Sequence, residues 1–254
     1  MALFESDAII LRSYDLSDAD RIVVMLTADH GLIRAVAKGS KRSKSKFGSS
    51  LEFLSITSVA YAQKESQELA GLRSVELQWS SFSLASDPAV LQDMSHLTEL
   101  LLSMTPAQEP NEKLFRLVKA VVVVLAEDTG KVFALRPYFK VWLLRLAGYL
   151  PDLNRCDVCG TRIADDAESD ITAASQIICG QCIRSKDKLR SGALKIARYL
   201  LKQHPGVFCR QISGAVPAEL SSLEGIADRL LEGALGKPFG TIRGIRSLSA
   251  KELN

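Results

Sequence analysis

The chain has 254 residues, of which 47% are hydrophobic and 24% are charged, which is ordinary for a soluble globular protein of one large domain or two smaller ones. It contains no run of about 18 apolar residues, so a membrane span is not expected. The opening segment lacks the basic start and apolar stretch of a signal peptide, and we therefore expect a cytoplasmic protein.

The net charge of +3 is unevenly distributed along the chain. Residues 1–78 carry 10 basic and 10 acidic side chains, residues 79–183 carry 9 and 13, and residues 184–254 carry 13 and 6. The last quarter therefore holds a net charge of +7. Charge of this kind attracts phosphate backbones without selecting a sequence.

The first 80 residues are predicted to be β-strands. Short apolar runs separated by turn residues at intervals of about ten residues are typical of a small barrel. The expected strands are Ala8–Arg12, Arg21–Thr27, Leu32–Ala37, Leu51–Tyr61 and Leu69–Leu77. Five strands in this length favour a barrel of the OB type. The segment Gly39–Ser50 is predicted to be a mobile loop that is too polar to pack.

From Asp87 onward the apolar residues recur at helical spacing. Asp87 suits a helix N-cap and Pro88 the first helical position. The expected helices cover about residues 88–101, Leu114–Glu127, Val132–Leu146, Leu194–Leu201 and Glu219–Leu235. Pro137 falls early in the third of these or splits it. We expect an α+β protein, with a barrel domain over residues 1–80 and a helical domain over residues 81–254.

Four of the five cysteines form two pairs, Cys156-x-x-Cys159 and Cys179-x-x-Cys182, with 19 residues between them. Because thiols stay reduced in the cytoplasm, paired cysteines in a cytoplasmic chain are interpreted as metal ligands in preference to disulfides. Four thiolates match a tetrahedral structural zinc site, here inserted over residues 152–185, and they leave no position for a catalytic water. Metal-free pairs, a disulfide or a redox role are the alternatives. Cys209, which stands apart, is expected to be buried.

The cysteine pattern does not identify the function by itself. Sites with this spacing also occur in deacetylases and nucleotide kinases, but the sequence has no Gly-x-x-x-x-Gly-Lys-Ser/Thr phosphate loop and no Gly-x-Gly-x-x-Gly after a strand. A zinc-bearing enzyme that acts on nucleotides or acyl-lysine, and an adaptor that binds only proteins, remain alternative hypotheses.

A basic cluster within the Gly/Ser-rich loop is the second signal. It consists of Lys38, Lys41, Arg42, Lys44 and Lys46, with no acidic residue between them. It is interpreted as a basic arm that follows a DNA backbone. A solvated loop that only aids solubility is the alternative. Phe47 and Phe53 flank the cluster and either stack on bases or belong to the barrel core.

A third group of cations follows the last cysteine. Its members are Arg184, Lys186, Lys188 and Arg190, followed at helical spacing by Lys195, Arg198 and Lys202. They form either a second phosphate-contacting surface or one solvated helix face.

Three stretches together resemble the RecO family. They are DADRIV at residues 18–23 with LTADHGLIRA at 26–35, AKGSKRSKSKF at 37–47 with LEF at 51–53, and WLLRLAGYLPDL at 142–153 leading into Cys156. Weaker agreement continues through IRGIRS at 242–247.

The resemblance implies an N-terminal OB-fold and a helical domain that carries the zinc site. It also implies a non-enzymatic, nucleoid-associated protein of the RecF repair pathway that binds single- and double-stranded DNA and anneals complementary strands. Loading of RecA onto strands coated with single-strand-binding protein is implied as well. The implied partners are RecR and the acidic, apolar C-terminal tail of single-strand-binding protein.

The residues expected to bind DNA are Arg34 on the barrel and the loop cations Lys38, Lys41, Arg42, Lys44 and Lys46. For the acidic tail peptide we expect Arg136, Lys140 and Leu143, because a groove that holds apolar side chains and a terminal carboxylate needs a cation.

Overall fold

The computed structural model describes residues 2–64, 67–165, 167–172, 174–183, 192–212 and 217–236. The chain divides into two compact units. The first unit comprises Met1–Gln92 and Thr105–Val132, and the second comprises Asp93–Met104 and Phe133–Asn254. The first unit thus contains helical segments in addition to the predicted strands, and the domain boundary at residue 80 stays a prediction.

The first unit is built on five strands. They are β1 (Ala2–Asp15), β2 (Arg21–Thr27), β3 (Gly31–Ala37), β4 (Ile56–Gln63) and β5 (Ala70–Trp79). The strands pair in the order β1-β2-β3-β5-β4, and β4 pairs in turn with β1. Only the short β3–β5 pairing is parallel among these five strands. This order confirms the predicted OB-like β architecture.

The core of the barrel follows from the two-residue period of the strands. Alternate apolar side chains point inward, among them Ile10, Met25 and Ile33, each at most 3% exposed. Phe47 and Leu51 join the same core from the loop before β4. The prediction that Gly39–Ser50 is too polar to pack was therefore wrong at Phe47, the one large apolar side chain within the segment, for which the barrel-core alternative is confirmed.

The fourth strand begins later than its apolar pattern predicted. Gly48–Leu51 is a short 3-10 helix instead. Leu54 then adopts a left-handed conformation with φ of 64°, and its backbone N–H donates to the Ile10 carbonyl at 2.7 Å. Leu51 and Leu54 are buried, so the apolar pattern reported burial correctly but not the local conformation.

The helices are α1 (Pro88–Met104), α2 (Glu112–Glu127), α3 (Val132–Leu146), α4 (Ala193–Leu200), α5 (Pro205–Ile212) and α6 (Pro217–Leu235). The carboxylate of Asp87 accepts hydrogen bonds from the backbone N–H groups of Ala89 and Val90, which confirms the predicted N-cap. Pro137 lies inside α3 without dividing it. The short helix α5 was not predicted.

Further short elements complete the described structure. They are 3-10 helices at Ser81–Ser86 and Thr129–Lys131, and a hairpin of β6 (Ser169–Ile171) and β7 (Ile177–Cys179). In the described part of the chain, no helix combines the length and the apolar character that crossing a bilayer requires.

Gly31 begins β3 in a conformation that only glycine adopts easily, with φ of +69°. A Cβ at this position would lie 2.0 Å from the carbonyl oxygen of Glu109, which is in the same unit. We expect Gly31→Ala to lower the free energy of unfolding by about 2 kcal/mol or more, because backbone strain and a steric clash add.

Gly48→Ala is the matched control, since Gly48 also has a positive φ (+49°) but a Cβ there would meet nothing within 4 Å. Urea unfolding of Gly31→Ala, Gly48→Ala and the parent chain measures the difference in the free energy of unfolding. Equal losses in the two variants would show that the close approach to Glu109 contributes nothing.

Candidate nucleic-acid interface and metal centre

The basic loop, residues 38–46, is held against the β1–β2 connection by its backbone. The N–H of Gly39 donates to the Asp20 carboxylate at 2.8 Å, and the N–H of Lys41 donates to the Ala19 carbonyl at 3.0 Å. Successive turns follow, as in the bond from the Arg42 N–H to the Gly39 carbonyl. Together with the burial of Phe47, these bonds fix both ends of a segment whose side chains have little to bury.

The predicted DNA-binding cations fall into two groups. Lys41 pairs with Asp15 at 2.8 Å, and Arg34 pairs with Glu68 at 3.4 Å. The hydrogen bond from Lys41 also holds the pKa of Asp15 below its ordinary value. The ammonium of Lys46 donates to the Arg73 carbonyl.

The second group differs from the first in having no carboxylate partner among the described residues. Lys38, Arg42 and Lys44 are exposed, and none of them makes a salt bridge to a carboxylate of the described residues. Three positive charges without local compensation thus project from a loop with a fixed backbone. Such charges are available for an anionic ligand.

A cleft of about 780 Å³ opens beside the loop, next to the short pairing of β3 with β5. Four cations line it: Lys38, Lys46, Lys64 and Arg73. The described lining contains one carboxylate, Glu68, which pairs with Arg34. Lys64 and Arg73 were missed in the sequence because each stands alone there. The pairing of Val36 with Gly71 brings β5, which carries Arg73, next to β3, and Lys64 directly follows the neighbouring strand β4.

The two phenylalanines that flank the basic cluster are not equivalent. Phe47 is 2% exposed within the barrel core, so it is a core residue and not a base-stacking one. Phe53 is half-buried. The aromatic side chain that does face solvent next to the loop is Tyr14, which is 44% exposed. Tyr14 lies in β1 beyond the predicted strand Ala8–Arg12 and was not among the predicted site residues.

The four paired cysteines meet in the second unit. All four Sγ atoms lie within 4.8 Å of one another, and those of Cys159 and Cys179 are 3.7 Å apart. A tetrahedral site with metal–sulfur bonds of about 2.3 Å requires sulfur–sulfur distances of about 3.8 Å. The five cysteines all lie among the described residues, and none of them forms a disulfide. The donor set therefore fits a metal ion, and the cluster can hold one.

The surroundings of Cys156 favour its thiolate form. Burial alone would raise its pKa, but backbone N–H groups of Cys179, Cys159 and Val158 point at the sulfur and lower the pKa to about 6. The neighbouring sulfurs, Cys159 first, instead raise the pKa of Cys182 to about 12. Negative charge thus accumulates at the cluster, which is the condition that a bound cation relieves.

Arg198 connects the cysteine segment to α4. Its guanidinium pairs with Asp165 and donates to the carbonyls of Leu153 and Ile163. Its side chain is only 14% exposed, so Arg198 does not belong to a solvated basic face. Lys195 and Lys202 are exposed. Arg184, Lys186, Lys188 and Arg190, and the stretch 242–247, lie outside the described residues.

The residues expected to bind a tail peptide lie on α3 and are engaged internally. Lys140 is 3% exposed, and its ammonium lies 2.7 Å from both Glu224 and Asp228 on α6. Arg136 pairs with Glu224 at 3.0 Å and with Asp93 at 3.4 Å. Leu143 is buried. The carboxylates of the chain itself therefore compensate both cations.

The titration of this cluster reflects its burial. Burial opposes ionisation of Glu224, but Lys140 and Arg136 outweigh it and hold the pKa of Glu224 below its ordinary value. Burial raises the pKa of Asp228. It also lowers the pKa of the nearby His96 to about 4, with Lys140 adding to the effect, so this imidazole is neutral at physiological pH.

Two family models together match most of the chain. A family model described as the recombination protein O N terminal matches residues 1–80, and one described as the recombination protein O C terminal matches residues 86–241. The chain belongs to the RecO family. The resemblance noted in the sequence is thereby confirmed, and the basic loop and the cysteine cluster lie within the matched regions.

Several similar proteins carry the name DNA repair protein RecO. The one from Koribacter versatilis is 39% identical over 165 residues, which is 65% of this chain and 67% of the relative. The one from Geobacter sulfurreducens is 28% identical over 247 residues, which is 96% and 97% of the two chains. The one from Pelobacter propionicus is 31% identical over 175 residues, or 69% and 70%.

Lys140 is the cation that the buried cluster depends on most. We expect Lys140→Ala to lower the free energy of unfolding by about 3–5 kcal/mol, because it leaves Glu224 and Asp228 buried without their shared partner. Chemical unfolding monitored by circular dichroism measures this loss.

Arg116→Ala is the control, because Arg116 is 76% exposed and its partner Glu112 is 3.9 Å away. It should cost no more than about 0.5 kcal/mol. A Lys140 variant as stable as this control would contradict the assignment of Lys140 as the central counter-ion.

Proposed function

We propose that this chain is a DNA-binding protein of DNA repair and recombination that anneals complementary single strands. The observation that supports this most directly is the group of three exposed cations, Lys38, Arg42 and Lys44, which pair with no carboxylate of the described residues and lie on a loop whose backbone is fixed. Membership of the RecO family supports the assignment to recombination.

The physical basis of annealing is electrostatic. Two strands repel each other through their phosphates, and cations that neutralise part of this charge raise the local concentration of both strands. Base pairing then supplies the driving force. The protein needs to make or break no covalent bond in this process.

The lining of the cationic cleft favours binding over catalysis. Its described residues are aliphatic or cationic apart from Gln67 and Glu68, and Glu68 is already paired with Arg34. General acid–base chemistry requires a titratable side chain positioned at the reacting group, and Glu68, the one carboxylate of the described lining, is engaged by Arg34 instead. We therefore propose that the chain is not an enzyme. Retention of DNA at low salt separates this proposal from an adaptor that binds only proteins.

The finer parts of the proposal follow from the resemblance to the family. They are loading of RecA onto strands coated with single-strand-binding protein, and binding of RecR and of that protein's acidic tail. Arg136, Lys140 and Leu143 remain the proposed tail site. A tail carboxylate would have to compete there with Glu224, which already lies 3.0 Å from Arg136, so Arg136 is the residue it would reach.

We propose that the ion held by Cys156, Cys159, Cys179 and Cys182 is zinc. Four sulfur ligands in a tetrahedron without an open position are typical of a structural zinc site. The bound ion would supply a cross-link between the two cysteine pairs, in a segment that has short strands and few large buried side chains.

Removing two loop cations tests the DNA-binding proposal. We expect the double variant Arg42→Ala/Lys44→Ala to bind single-stranded DNA more weakly and to anneal complementary oligonucleotides more slowly. The slope of log affinity against log salt should become shallower by about 1.4, since each phosphate contact contributes about 0.7 for single strands. A salt-titrated anisotropy assay and a fluorescence annealing assay measure these effects.

A matched control removes the same charge elsewhere in the first unit. Lys113→Ala/Arg116→Ala deletes two exposed cations of α2 and should leave the slope and the annealing rate unchanged. If the two double variants behave alike, net charge accounts for binding and the loop assignment fails. If the parent chain does not bind DNA at low salt, the proposed function itself fails.

The metal proposal has its own measurement. The purified chain should contain about one zinc ion, and Cys179→Ser should reduce this content and lower the thermal unfolding temperature, because one of four ligands is lost. Cys209→Ser is the control, since Cys209 is buried but lies outside the cluster. Equal metal content in the two variants would exclude the cluster as the binding site.

A further inference from the structure

A bulge in β1 turns Tyr14 away from the barrel core. Ile10 lies opposite Met25, which is a core residue, but the register shifts after Ile10 so that Arg12 lies opposite Val24. An extra residue in one strand reverses the faces of all residues beyond it. Arg12 and Tyr14 therefore lie on the outer face, where an unbroken alternation from Ile10 would place them inside.

On that face Tyr14 continues a row of apolar side chains across three strands. Tyr14 lies opposite Ile22, and Ile22 lies opposite Val36. The residues next to Ile22 and Val36, which are Val23 and Ala35, belong to the core, so the row itself points outward. We call Tyr14, Ile22 and Val36 the outer row. With strands about 4.8 Å apart, it spans about 10 Å.

The outer row lies at the more exposed end of the sheet. At the other end, the segment after α1 covers Leu32: Ala107 bridges to Leu32, and the N–H of Gln108 donates to the Leu32 carbonyl at 3.0 Å. Leu32 is only 6% exposed, whereas Tyr14 is 44% exposed. Ile22 and Val36 are half-buried. An apolar strip therefore remains accessible next to the basic loop.

Cations lie on both sides of this strip. On one side, Arg12 and Arg34 both lie opposite Val24, in the row of paired residues next to the outer row. On the other side, Lys38 follows Val36 beyond the end of β3. The guanidinium of Arg12 lies 5.5 Å from the ring centroid of Tyr14 and donates to the Tyr14 hydroxyl at 3.0 Å. Arg12 thus holds the ring in place while a large part of it stays exposed.

We propose that the outer row binds the bases of single-stranded DNA and that Tyr14 stacks on one of them. An apolar strip between cations complements a single strand, whose bases are apolar on their faces and whose phosphates are negative. Val36 also lines the cationic cleft, so a strand on the row continues toward Lys64 and Arg73. This inference rests on the proposed DNA-binding function and adds a basis for preferring single strands, since duplex bases are already stacked.

Tyr14→Ala tests the inference. Its affinity for a fluorescein-labelled oligothymidylate should fall between about fivefold and 150-fold, the range that corresponds to the loss of one stacked base. Affinity for a hairpin duplex with the same number of phosphates should change less than about twofold, and the salt slope should not change, because tyrosine contacts no phosphate charge. Tyr14→Phe should retain most of the affinity because it keeps the ring.

Phe82→Ala is the matched control, since Phe82 is an aromatic residue of the same unit that is 83% exposed and lies outside the outer row. It should bind like the parent chain. An oligonucleotide that carries 5-iodouracil should also cross-link on irradiation to the peptide that contains Tyr14. Thermal unfolding of Tyr14→Ala and Tyr14→Phe establishes that both variants are folded.

The possible outcomes separate the two claims. If the parent chain binds DNA and Tyr14→Ala binds single strands equally well, the inference is wrong while the proposed function stands. The inference is also wrong if Tyr14→Ala loses single-strand and duplex binding equally. It is wrong as well if Tyr14→Ala changes only the oligomeric state measured by light scattering, since the outer row would then contact a second copy of the chain. If the parent chain binds no DNA, the proposed function fails first.

Discussion

The burial of Phe47 is the constraint on which the candidate DNA interface depends. A segment of lysine, arginine, serine and glycine has too little apolar surface to order itself. Phe47 supplies a large side chain that is 2% exposed in the barrel core, and the bonds from Gly39 and Lys41 to the β1–β2 connection fix the other part of the loop. The uncompensated cations therefore project from a defined backbone, which lowers the conformational entropy lost when they bind phosphates.

In the second unit, buried charged side chains are stabilised by partners within the chain. Lys140 and Arg136 on α3 share Glu224 on α6, and such a network is favourable only when every member keeps a partner. Arg198 acts similarly at the cysteine segment, where it satisfies the carbonyls of Leu153 and Ile163. In each case a cation that looks like a ligand-binding group in the sequence has an internal structural partner. The uncompensated loop cations differ from these in the one property that matters for binding DNA.

Sequence patterns predicted the structural features that are determined by residues close to one another in the chain. The strands, the Asp87 cap and the cysteine cluster follow from local periodicity, capping chemistry and ligand spacing. Sequence patterns failed where residues far apart in the chain determine the position or the partner of a side chain. Lys64 and Arg73 join the cleft only through the pairing of β3 with β5. Tyr14 reaches the outer face only because of a bulge whose position depends on β2. The carboxylates that pair with Arg136 and Lys140 lie 43 to 88 residues away in the sequence, beyond the reach of any local pattern.

The combination of a cationic loop and a short apolar row fits annealing better than tight storage of single strands. A protein that stacks many bases hides them from a complementary strand, because stacking on side chains and pairing with a second strand compete for the same unstacked bases. Electrostatic contacts do not compete in this way, since phosphates remain outside the duplex. A row of about 10 Å engages only one or two bases, and the remaining bases of the strand stay free to pair. The limited extent of the outer row is thus as important to the proposed function as its presence.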